Sequence, residues 1–97
     1  MQFRYHNTPV LTLRQIDQMN AVAKGVAFRA FKQAEASLNE GEDYFVIDMA
    51  APPGQAAAVL LERLRAADAL YASSQVAILI TEKAYARMQA VANLRCQ

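Results

Sequence analysis

The stretch Asp43–Met49, DYFVIDM, constrains this chain more than any other, because Tyr44, Phe45, Val46 and Ile47 are apolar without a break. A strand covered on one face alternates apolar and polar residues, whereas an unbroken apolar strand belongs in a sheet covered on both faces. The run stops at Ala50–Gly54, AAPPG, where neither proline can donate to a strand ladder. Prolines do suit a helix start, where the amide has no intrahelical acceptor. From Gln55 to Tyr71 the residues Val59, Leu60, Leu64, Ala67 and Tyr71 recur at helical spacing. A second buried strand follows at Val76–Ile80, after a loop containing Ser73 and Ser74. Thr81 then stands as the N-cap of a last helix whose inner face is Tyr85, Met88, Val91 and Ala92.

The N-terminal part reads by the same rules. FRYH alternates as a first strand with Phe3 and Tyr5 on one face. Thr12 and Gln15 have the spacing of a capping box, and Leu11 is placed to staple onto Ile16. Leu13, Ile16, Met19 or Asn20, and Ala23 carry a helix to Gly25, which reads as its C′ glycine. Val26–Phe31 fits either a period of two or a continuation of that helix to Leu38. The preceding glycine and the two phenylalanines favour a strand. Lys32–Glu42 then forms a short helix closed by Gly41.

The resulting order, β-α-β-α-β-α-β-α, predicts an α/β domain spanning residues 1–97. It would be a doubly wound parallel sheet of about four strands with helices on both faces. Ligands of such sheets bind beyond the carboxyl ends of the strands. That end would gather His6 and Asn7, Asp48 with Met49, and Thr81 with Glu82.

The segments EGEDYFVIDMAAPPGQAAAVLLERLRAAD and VAILIT resemble the receiver domain of two-component response regulators. The resemblance implies a receiver-like (flavodoxin-like) fold, with Asp48 as phospho-acceptor and Thr81 as the switch hydroxyl. Three departures bear on function. FRYHNTPV offers His6 and Asn7 where the family places its Mg²⁺-binding acids; the fifth strand and helix are missing; and so is the fifth strand's phosphate-pairing lysine, for which Lys83 is the nearest substitute. Mg²⁺ would be needed only if Asp48 accepted phosphoryl, with the Asn7 side chain completing a poor site.

The resemblance therefore implies a shortened, degenerate receiver that is not an enzyme, binds no cofactor and regulates by protein–protein contact. One alternative is a phospho-accepting receiver using Asp48. A second, suggested by VAILITEKAYARMQAV, is a small antitoxin-type regulator linked to DNA.

Without a fifth strand, QVAILIT would lie at a sheet edge, and exposed apolar edges invite pairing. Val76, Ile78 and Ile80, with Tyr85, Met88 and Val91 beside them, would form the interface of a homodimer or a docked protein partner. Charge argues against nucleic acid: the net charge is +1, and the lysines and arginines are scattered. Five acids and no base lie within residues 35–54. No apolar run approaches the ~20 residues of a membrane span. The N-terminus lacks a signal-type apolar stretch, which predicts a cytoplasmic protein. The lone Cys96 allows no internal disulfide, and the lone His6 has no second metal ligand at suitable spacing, so no metal site is expected.

Overall fold

The computed structural model describes residues 3–72 and 75–92, and of Ala92 the backbone only. Ser73, Ser74 and Cys96 lie outside the described residues. The elements are β1 (Phe3–Tyr5), β2 (Thr8–Thr12), α1 (Leu13–Met19), α2 (Val26–Ala34), β3 (Tyr44–Asp48), α3 (Gln55–Ala66), β4 (Val76–Thr81) and α4 (Glu82–Ala92). A 3-10 turn, Glu35–Ser37, extends α2.

The sheet is antiparallel throughout, in the order β1-β2-β4-β3, which corrects the expected parallel, receiver-like arrangement. Two local causes set the strand directions. His6 and Asn7 both take positive φ, 52° and 61°, which makes them the turn of a tight hairpin. The chain therefore reverses at once into Thr8–Thr12, a strand absent from the expected order. Further on, α3 crosses the sheet to pack on β1, and the connection then returns past Thr12, whose hydroxyl donates to Ala69 O at 2.6 Å. β4 therefore enters opposite Asp48 and runs back along β3, with Asp48 facing Val76 and Tyr44 facing Ile80.

Helices do cover both faces. One core holds Ile16, Phe31, Tyr44, Ile80 and Met88 under α1, α2 and α4. The other holds Val10, Ile47, Leu61, Leu64 and Leu79 under α3. The capping box is present: Thr12 Oγ accepts from Gln15 N–H at 3.1 Å, and Gln15 Oε1 accepts from Thr12 N–H at 2.9 Å.

Val26–Phe31 is helical, not a strand, with Ala27, Ala30, Phe31 and Ala34 buried at helical spacing. Nor does one long helix run from Thr12 to Leu38. α1 ends at Met19, where the buried Asn20 turns its amide back onto Ile16 O at 2.8 Å. Gly25 is not the end of α1 but the N-cap of α2, at φ 96°.

Candidate functional site

The antiparallel order separates the residues that a receiver would bring together. Asp48 pairs with Val76 at one end of β4, while Thr81 stands at the other end, beside Val10. Five strand steps separate those ends, about 17 Å. His6 and Asn7 lie beyond the Thr81 end, at the hairpin tip, so the expected grouping of Asn7 with Asp48 is not formed.

Each of these residues has a local role. Asp48 is exposed, and its Oδ1 accepts from Ala50 N–H at 2.9 Å, closing the turn after β3. Thr81 is buried; its hydroxyl donates to Asp43 O at 2.6 Å and accepts from Ala84 N–H at 3.3 Å, which makes it the cap of α4. The His6 ring lies 4.1 Å from Tyr5 and 5.7 Å from Phe45, so the hairpin tip rests against the start of β3.

The expected interface residues are also redistributed. β4 is a central strand, bonded to β2 and β3, and no edge exists there. Ile80 and Met88 are fully buried, and Ile78 and Tyr85 are partly so. Val76 and Val91 remain exposed, at 41% and 47%.

The edges of the sheet fall on β1 and β3 instead, and β3 is the one built from the apolar run. Thr81 N–H donates to Asp43 O at 3.2 Å and Met49 N–H to Gln75 O at 3.1 Å. Hydrogen-bonded pairs alternate in an antiparallel ladder, so Phe45 and Ile47 bond to β4. The backbone N–H and C=O groups of Tyr44, Val46 and Asp48 therefore point away from the sheet. At Tyr44 the outer edge is closed by Gly41, whose N–H donates to Tyr44 O at 2.7 Å from a backbone with φ 91° that favours glycine. Val46 and Asp48 have no such cover among the described residues. On the α4 face of the sheet, the Val46 side chain is 38% exposed near Val76.

A groove runs between α4 and the segment leading into β3. Its volume is about 310 Å³, and Ser37, Asn39, Asp43, Lys83 and Arg87 supply its polar lining. The Asp43 carboxylate is buried; Oδ2 accepts from Asn39 N–H at 2.9 Å, and Oδ1 lies 3.5 Å from Lys83 Nζ. Lys83 and Arg87 stand one turn apart on the same face of α4.

A third cluster, invisible to sequence reasoning, surrounds the buried Asp17. This carboxylate accepts from Ala27 N–H at 2.8 Å, from Gly25 N–H at 3.2 Å and from the Tyr71 hydroxyl. It caps α2 in place of the side chain that Gly25 lacks, and an anion is favoured at that helix end. Arg14 and Lys24 lie over the Tyr71 ring at 5.3 and 5.0 Å from its centroid. Burial, and then the hydrogen bond to Asp17, push the Tyr71 hydroxyl up to about 12. The neutral phenol is thus favoured in the folded state. Its contribution is complete below the unfolded pKa of 10.0 and is lost as pH rises from there through about 12. Alkaline denaturation should show this loss in the parent chain, and Tyr71→Phe should remove that part of the slope.

These contacts describe a structural latch, not a site open to ligands. The β3 edge and the α4 groove, by contrast, present polar groups to a partner. Comparison with family models, with curated proteins and with solved structures finds no match to this chain.

Proposed function

We propose that this chain is a non-catalytic interaction module that binds an extended segment of a partner protein along β3. The observation that carries this reading is the outward-facing backbone of Val46 and Asp48 beside the exposed Val46 and Val76 side chains. A strand added there would gain main-chain hydrogen bonds, and its side chains would meet that apolar surface.

Charge favours a particular kind of segment. Glu40, Glu42 and Asp48 flank the open edge, and residues 35–54 contain no base. An apolar residue over Val46 and Val76, with lysine or arginine beside it, complements this surface.

A second copy of the chain meets the edge differently in each two-fold register. Two-fold pairing centred on Val46 would set Asp48 against Tyr44, whose carbonyl is already held by Gly41. Pairing centred on Asp48 would oppose two carboxylates, which is destabilising. Pairing centred on Ile47 would set Val46 against Asp48 and use both uncovered backbones, so the expected homodimer is the alternative occupant of this edge.

Selection of peptides from a random display library against the chain tests the proposal. Retained peptides should alternate apolar and basic residues, and Val46→Pro should weaken their binding by about tenfold or more, since it removes an edge donor and the apolar contact. Proline is tolerated on edge strands, so the fold should persist. An empty selection, or peptides indifferent to Val46→Pro in a folded chain, would count against this reading.

A further inference from the structure

The α4 groove adjoins the start of β3 but carries a different chemistry from its open edge. We propose that it is a binding site for a small ligand bearing one oxyanion, a carboxylate or a phosphate ester, together with a hydroxyl group. Its volume of about 310 Å³ falls at the lower end of the range for small-molecule sites.

The charge of the ligand follows from the lining. Lys83 and Arg87 contribute two positive charges and Asp43 one negative, which leaves a net positive charge to meet an oxyanion. Arg87 has no hydrogen-bond or ion-pair partner among the described residues, so its planar fork is free for a carboxylate or phosphoryl group. Lys83 is held near the mouth but not consumed: its side chain is 79% exposed, and its 3.5 Å distance from Asp43 is longer than a charge-assisted hydrogen bond. Asp43 sits below it, 5% exposed, and tethers the lysine without blocking the opening.

The hydroxyl follows from the opposite wall. Ser37 Oγ donates its proton to Ala34 O at 2.9 Å, so its remaining capacity is as an acceptor. A ligand O–H can donate to it; a bare anion cannot. Leu38, Ala86 and Ala90 supply an apolar wall beside these groups.

Amide-correlation NMR titrations of the full chain with lactate, propionate and inorganic phosphate test the site, each against sodium chloride at equal ionic strength. Lactate or phosphate should produce saturable shifts centred on Ser37, Asn39 and Arg87. Saturation by lactate assigns the carboxylate source, and saturation by phosphate alone the phosphoryl source. Propionate, which lacks the hydroxyl, should bind several-fold more weakly than lactate. Arg87→Gln, on an exposed position, should weaken binding about tenfold or more while leaving the fold intact. Shifts reproduced by chloride, unchanged in Arg87→Gln, or absent with all probes would overturn the proposal. None of these outcomes depends on whether a peptide pairs with β3.

Discussion

Asp17→Ala is expected to lower the unfolding free energy by about 3–5 kcal/mol, a large share of the roughly 5–15 kcal/mol that holds a typical domain together. The carboxylate is only 2% exposed and accepts from two backbone amides and one phenol. Alanine leaves the buried amide of Ala27 and the part-buried Gly25 amide and Tyr71 hydroxyl without their acceptor; a buried donor so left costs about 1–3 kcal/mol and a part-buried one less. The start of α2 would lose its only side-chain cap, because Gly25 provides none. Tyr71→Phe removes one of the three bonds and keeps the ring, so its cost should be nearer 1 kcal/mol. Urea denaturation of the two single mutants and the double mutant measures both values. Their costs should be less than additive, because both remove the same bond.

The second large effect separates the central strand from the edge. Ile80→Pro should unfold the domain or cost more than about 3 kcal/mol, whereas Val46→Pro should leave a cooperative transition. Ile80 is fully buried and pairs with Leu11 on β2 and Tyr44 on β3. By the alternation of the ladder its N–H faces β2, so proline removes a buried hydrogen bond and core volume together. The N–H of Val46 faces outward. Thermal unfolding followed by circular dichroism distinguishes the two. A domain in which both substitutions were equally harmful would not have β3 at its edge.

Much of the local structure was legible in the sequence, and the reasons are local. The Thr12 capping box, the Thr81 cap, the two buried strands and the helices after them all follow from side-chain period and terminus chemistry. Strand direction does not. Period says that Tyr44–Ile47 is a strand, but its orientation against Val76–Thr81 depends on where α3 crosses, which is a property of packing. The His6–Asn7 turn carried a faint signal, since asparagine tolerates the left-handed conformation a tight hairpin needs.

Val26–Phe31 misled for a different reason. Phe28 is 45% exposed, so an aromatic residue that reads as core sits on the outer face of α2 and masks the spacing of Ala27, Ala30 and Phe31. The cap of α2 was equally hidden, because Asp17 reaches it from another helix. The candidate site moved with the topology, because β4 is central and the edges are β1 and β3. The α4 groove had only Lys83 as a sequence signal. Its pairing with Arg87 across from Ser37 and Asn39 depends on how α4 packs.

Amide hydrogen exchange along β3, with and without a selected peptide, tests the central claim most directly. In the free chain the amides of Phe45 and Ile47, bonded to β4, should be protected, while those of Val46 and Asp48 exchange quickly. Bound peptide should bring Val46 and Asp48 up toward the protection of their neighbours. Val46 and Asp48 already protected in the free chain would mean that the edge is covered, and amides left unprotected in the complex would mean that the peptide binds elsewhere; either result contradicts the account.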